Sequence, residues 1–407
     1  MKPEQLFSVA LGLREPWFIE RVEFTDEDGQ KVLHLYVDYH RGVDLLGKDG
    51  RLYKAYDHRR RTWRHLNFFQ HKCYLHADVP RVEQEDDTIQ QVDIPWASDG
   101  SSFTLLFEAF ALTLCQSGMS LSAAGKLLGV DGRIVGRIIN RYVQEALSNQ
   151  PLEQVKVMGV DETSSRKGHN YLTILTDMEQ KKVVGVGEGK DELAFLEALK
   201  QSTDRGVCSA KVETVVMDLS PAYKAAVRNH LNNAELVFDR FHLEQMINKA
   251  VDEVRKQEAK NTTELKNTKY LWLRNGSSLQ PRQRFDVNFL SLTYPRLGKA
   301  YRMKEWFKEI WNTEEPVEAT LLMKKWIDLA LKSKIEPLKH VARTFRTHWN
   351  GIVKFFETRY TSAFVERVNL KIQEIKRLAK GYRNMQNFIT MIYFHLGKLQ
   401  LPTHIKQ

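Results

Sequence analysis

Cysteine is scarce. Cys73, Cys115 and Cys208 stand far apart in 407 residues, which leaves neither a disulfide framework nor a C-x-x-C metal pair. A reducing cytoplasm is the expected compartment. Long apolar runs are lacking as well: no stretch of about 20 uninterrupted apolar residues occurs, the length a helix needs to cross a bilayer. The opening Met1–Gln5 shows no basic segment leading into an apolar core, so neither a signal peptide nor a membrane partner is expected. Internal repeats and low-complexity segments are absent too.

What is present is charge of one sign in excess. Lys and Arg total 61 against 51 Asp and Glu, a net +10, and the isoelectric point near 9.2 favours a polyanionic partner without proving one. At 407 residues the chain is long enough for two or three separate cores.

Residues 1–100 alternate short β-like runs, such as Val32–Val37, with turn signals at Asp28-Gly29 and Asp49-Gly50, and predict a small β-rich module. Its basic stretch holds Arg59, Arg60, Arg61 and Arg64, suited to DNA phosphates or, equally, a solvated hairpin face. Residues 101–150 turn helical. Ser120 or Ser122 can cap a short helix, Gly129-Val130 makes a turn, and Asp131 can cap a second helix, which is a helix-turn-helix pattern. Ile134, Val135, Ile138, Ile139 and Tyr142 form its packing side. Arg133, Arg137, Asn140 and Arg141 are left for phosphates or base edges, unless the pair is an ordinary helical hairpin.

From Lys156 the order becomes βββαβαβα, with strands at 156–162, 170–176, 181–186, 212–218 and 235–238. This predicts an α/β catalytic domain of RNase H-like type, a mixed sheet covered by helices, over residues 151–257 and 351–400. Residues 258–350 lose the strand signal and read as an all-α insertion whose tryptophans are expected in its core. Two apolar strands each end in an aspartate, Asp161 and Asp218, and a late helix carries Glu366. Three carboxylates can hold two divalent ions for attack on phosphorus, and Mg²⁺ (or Mn²⁺) prefers such oxygen ligands. Glu162 faces the other side of its strand by the period-two rule. On a helical wheel Glu366 lies nearly opposite the apolar stripe Val368, Ile372 and Ile375, where periodicity alone reads solvent. Asp239 and His242 are either supporting residues of the same site or a helix cap and its first-turn neighbour.

These residues resemble the DDE transposases of bacterial insertion sequences of the ISL-three group. The resemblance runs through nearly the whole chain, in Trp63-Arg64-His65-Leu66, Tyr74-Leu75-His76-Ala77, Gly159-Val160-Asp161-Glu162, Met217-Asp218-Leu219-Ser220-Pro221, Asp239-Arg240-Phe241-His242 and Val365-Glu366-Arg367-Val368-Asn369. It implies Asp161, Asp218 and Glu366 as the acidic triad and metal ligands, and double-stranded DNA, the terminal inverted repeats of the chain's own element, as partner. It also implies a homodimer or higher assembly and a bacterial, nucleoid-associated location. Two departures stand out. The family's Cys-rich zinc module near the N-terminus finds no matching cysteines here, so no zinc is expected. Arg367 occupies a position where the family motif usually has Gly, which leaves a perturbed site, an added DNA contact or an inactive copy as readings; a helix-turn-helix regulator and a structure-directed nuclease of the same fold are the competing functions.

Overall fold

Period-two alternation along residues 17–83 builds the first sheet. In the computed structural model, which describes residues 2–166, 168 and 170–402, its strands lie in the order Trp17–Glu27, Gln30–Tyr39, His71–Glu83, Asp57–Phe68, with Ile89–Gln91 also on His71–Glu83. The Asp28-Gly29 turn closes the first hairpin with both residues at positive φ, 51° and 76°, the geometry that matches the twist of the flanking strands. One face buries Trp17, Leu33, Leu35, Trp63, Leu75 and Val79. Trp96 packs edge-on against Trp17 at 5.0 Å and against Trp63 at 5.6 Å.

Three helices follow: Leu105–Gln116, Leu121–Leu128 and Gly132–Asn149. Of the two candidate caps it is Ser120 that accepts from Ala123 N, at 3.2 Å. Gly129 ends the second helix at φ 70°, and Asp131 accepts from Arg133 N at 2.7 Å. Gly125 makes this tight turn possible, since a Cβ there would sit 2.7 Å from the Val130 carbonyl oxygen. These helices and the first sheet belong to one compact unit, which also takes in residues 378–395. That last stretch was expected with the catalytic portion. It joins this unit because the Met385–Leu396 helix is apolar almost all round, Tyr382 stacks on Phe388 at 4.8 Å, and Thr390 Oγ1 donates to Asn140 Oδ1 at 3.0 Å.

The second compact unit spans residues 150–377. Its five-stranded sheet has the order Lys182–Glu188, Asn170–Asp177, Val157–Arg166, Thr214–Met217, Glu235–Phe238. The first three strands pair antiparallel, and the last two run parallel to Val157–Arg166. The sequence reading ended the first strand at residue 162. The strand instead continues to Arg166, because Glu162, Thr163 and Ser164 keep pairing with Thr173, Leu172 and Tyr171. Asp161 is therefore mid-strand. The expected connection at 166–169 lies partly outside the described residues.

Among the described residues 258–350 there are helices and no strand. Trp272, Trp311 and Trp326 are buried there, and Trp306 and Trp349 partly so. Phe307 is the hub: Trp311, Trp326 and Phe345 surround its ring at 5.3–5.5 Å. This helical core is continuous with Val157, Val216 and Val237 of the sheet, so the helices stiffen the strands that carry the aspartates.

Candidate active site

Parallel pairing between Val157–Arg166 and Thr214–Met217 runs through Gly159↔Val216 and stops there. Two residues further along each strand stand Asp161 and Asp218. Equal offsets from the last paired residues bring the two side chains to equivalent positions at the open end of the ladder. Both line a cleft of about 490 Å³ together with Glu162, Asp239, His242, Glu366 and Asn369.

Asp161 accepts from Glu162 N at 2.7 Å and from Asn369 Nδ2 at 2.6 Å. Burial pushes its carboxyl up to about 6 from 3.8, with the neighbouring Asp218 adding to the shift. The folded value lies above the unfolded one, so the metal-free protein binds an extra proton between about pH 4 and 6 and this carboxylate costs stability above that window. In EDTA, wild-type stability relative to Asp161→Ala is expected to fall as pH rises from about 4 to about 6, by on the order of 3 kcal/mol. Urea unfolding at each pH reads the difference, and a flat profile would mean a solvated carboxylate.

Asp218 follows its strand directly and accepts from Ser220 N at 2.9 Å. Ser220 heads the Pro221–His230 helix without a side-chain cap, its backbone serving the aspartate instead. Glu366 lies in the first turn of the Ala363–Leu378 helix and is exposed, with Ser362 Oγ on its Oε1 at 3.1 Å. Periodicity alone reads Glu366 as a solvent residue, and the solvent it faces is that of the cleft. The buried stripe Val365, Val368, Ile372 and Ile375 packs inward. One residue further round, Asn369, Gln373 and Lys376 reach the Asp161 strand: Asn369 bonds Asp161, and Gln373 and Lys376 bond the Ser164 carbonyl at 2.9 and 2.7 Å. Gly159 permits this closeness, since a Cβ there would lie 2.7 Å from Val365 Cγ2.

Asp239 is almost wholly buried. Burial pushes its carboxyl up, but hydrogen bonds from His242 Nδ1 and Phe241 N, with the Ser362 hydroxyl also beside it, outweigh that and hold it below the usual range. His242 Nδ1 donates to Asp239 Oδ2 at 2.9 Å. That bond raises the imidazole above its ordinary value, with the charges of Asp218 and Asp161 adding. Asp239 caps its helix and orients His242 at once, uniting the two sequence readings. Asn369 escaped the sequence reading as a site residue; its three-residue spacing from Glu366 was the available signal.

Among the described residues no three His, Cys, Asp or Glu side chains stand gathered as a ready-made ion cage. Asp161 and Asp218 come together, while Glu366 shares their cleft with its carboxylate on Ser362.

Comparison with known families decides the class. Residues 158–392 match a family model described as a transposase of the ISL3 group. This chain belongs to the ISL3 family of DDE transposases. Residues 92–143 match the helix-turn-helix domain of the same family. The chain is similar to the transposase for insertion sequence element IS1001 of Bordetella parapertussis, 24% identical over 94% of this chain and 96% of the relative. It is equally similar to the transposase for insertion sequence element IS1557 of Mycobacterium tuberculosis, 24% identical over 98% and 96%. The protein is thus a transposase, a DNA-cleaving enzyme, with N-terminal strands, a helix-turn-helix domain and a DDE domain in one mixed α/β chain. No helix among its described residues is long and apolar enough to cross a membrane.

The expectation of no zinc is corrected by a further match: residues 47–83 fit the zinc-finger of transposases IS204, IS1001, IS1096 and IS1165. The expectation rested on missing cysteines, whereas the module is recognisable without a full set. Cys73 is the cysteine of this span. It packs in the sheet at 1% exposure, and burial pushes its thiol up to about 12.

The basic residues of the transposase divide in two. Arg59, Arg60, Arg133 and Arg137 are exposed. Arg60 forks onto Asp78 at 2.8–2.9 Å and Arg133 onto Asp131 at 3.0 Å, surface pairs that contribute little and leave the guanidinium groups available to phosphates. Arg61 is half-buried, donating to the Ser101 carbonyl at 3.0 Å. Two assignments are corrected, Arg64 and Arg141, and a third residue, Asn140, makes a contact within the fold. Arg64 is buried, bonded to the Cys73 carbonyl at 3.1 Å and set beside the rings of Tyr74 and Phe107. Arg141 is committed to Glu108, whose side chain is fully buried. Asn140 is held by Thr390.

Proposed function

We propose that this transposase cuts and rejoins DNA at the terminal inverted repeats of its own element, with Asp161, Asp218 and Glu366 as the ligands of Mg²⁺, or Mn²⁺. The equal offset of Asp161 and Asp218 beyond the last paired residues of two parallel strands carries the reading. The donors suit a hard ion: the cleft supplies carboxylate oxygens, and the buried Asn369 Oδ1 lacks a partner that a water could supply. When bound, two such ions supply Lewis-acid stabilisation to the attacking and leaving oxygens. The chain's own residues position and neutralise. Asp239 fixes His242 through Nδ1, which leaves the other ring nitrogen to meet a phosphate oxygen entering beside Asp161 and Asp218.

The strand order and the chain order support an RNase H-like catalytic domain over residues 151–257 and 351–377, with 258–350 as its helical insertion. Residues 1–100 and 101–150 serve as DNA-binding modules, through Arg59, Arg60, Arg61, Arg133 and Arg137. Two ends must be joined, which calls for a homodimer or larger assembly at the bacterial nucleoid. The test is a supercoiled plasmid carrying the gene's own flanking DNA, incubated with the full chain in Mg²⁺ or EDTA. Metal-dependent nicks mapping to the element boundaries are expected. Binding without nicks in either Mg²⁺ or Mn²⁺ would sink the reading in favour of a DNA-binding regulator.

A further inference from the structure

Asn369 has one atom satisfied twice and another not at all. Its Nδ2 donates to Asp161 Oδ2 at 2.6 Å and to the Glu162 carbonyl oxygen at 3.3 Å. Its Oδ1 is buried and finds no hydrogen-bond donor among the described residues. The two acceptors fix which way the amide faces, because turning it over would set Oδ1 against a carboxylate oxygen and a carbonyl oxygen. A buried acceptor without a donor is costly, and the residue lines the cleft that holds Asp161, Asp218 and Glu366.

Ionised carboxylates accept and do not donate, and donors of the same cleft are engaged elsewhere, His242 Nδ1 on Asp239, Ser362 Oγ on Glu366 and Gln373 Nε2 on Thr163 and Ser164. Water held by a divalent ion can donate to Oδ1. Mg²⁺ keeps several waters when only a few carboxylates bind it, and water polarised by the ion is a strong donor. We infer that Asn369 is a positioning residue of the metal site: Nδ2 fixes the Asp161 carboxylate, and Oδ1 accepts a hydrogen bond from a water in the ion's coordination shell. The inference rests on the reading of Asp161, Asp218 and Glu366 as ligands and adds a residue contributed by the same helix as Glu366. The contact crosses 208 positions of sequence, so the helix aligns the first ligand of the site as well as bringing the third.

The experiment titrates the full chain, free of DNA, with Mn²⁺ and reads bound ion by electron paramagnetic resonance. Asn369→Ala removes both polar atoms, and Asn369→Leu does so while keeping the side-chain volume, in case the shorter residue loosens the helix. Both are expected to weaken Mn²⁺ binding about 10- to 100-fold, the usual effect of losing a group that orients a metal ligand. The Mn²⁺ concentration for half-maximal DNA cleavage should rise by a similar factor, with most of the maximal rate regained at saturating ion. Asp161→Ala is run alongside. Should it lose Mn²⁺ while both Asn369 variants bind as the wild type does, the inference about Asn369 falls and the ligand assignment stands. Wild-type Mn²⁺ binding by Asp161→Ala overturns both.

Discussion

Asp161→Ala and Asp218→Ala are each expected to bind an element end as the wild type does and to cut it at least about 10²- to 10³-fold more slowly, the scale of losing one group that acts mainly on the transition state. The two differ in what else they remove. Asp161 accepts bonds from Glu162 N and Asn369 Nδ2, whereas Asp218 accepts one from Ser220 N. Both aspartates belong to the second compact unit and the exposed arginines to the first. Gel-shift binding beside strand-cleavage rates separates the two properties. Cleavage that survives both substitutions would remove these aspartates from the chemistry.

Arg141→Ala is expected to destabilise the protein by about 3 kcal/mol, the low end of what is lost when a buried charge forfeits its partner. Its target is Glu108, with no exposed side-chain surface, which also accepts from Tyr142 Oη and Ser101 Oγ, each at 2.7 Å. Those two hydroxyls remain, but neither supplies a positive charge. Arg141 is itself partly exposed, which is why the low end applies. Arg137→Ala, one turn away on the same helix and exposed, should leave stability within about 0.5 kcal/mol. It should instead lower DNA affinity for all sequences alike and reduce the salt dependence by about one ion. Urea melts and salt-dependent binding on the same pair of variants test this, and equal stability losses would refute the division.

Pattern reading reached far where one element carried the signal. The Asp28-Gly29 hairpin, the Ser120 cap, the strand at 235–238 and the buried tryptophans of the helical region were legible because each depends on neighbours in sequence. It went astray where a partner strand or helix decides. Asp161 looked strand-terminal because the apolar run stops there, yet Asn170–Asp177 keeps the polar continuation paired. Arg141 looked free because its partner lies on an earlier helix; a lone Glu108 inside the apolar run 105–115 was the clue that some cation must be recruited. Glu366 needed the family resemblance, since a wheel cannot distinguish bulk solvent from a cleft. The family match at residues 47–83 shows that a module can be legible when its metal-binding residues are not.

The placement of the closing segments has a consequence for synthesis on the ribosome. The Ala363–Leu378 helix lines the cleft that holds Asp161 and Asp218, and residues 378–395 belong to the unit that holds the N-terminal sheet. Both units therefore await the same late stretch of translated chain. A message cut short before codon 363 yields a polypeptide with Asp161 and Asp218 but no Glu366, and with helix-turn-helix residues but no Met385–Leu396 packing partner. On the proposed ligand set such a product is expected to cut no DNA, and a strand-cleavage assay of a chain ending at residue 362 checks it.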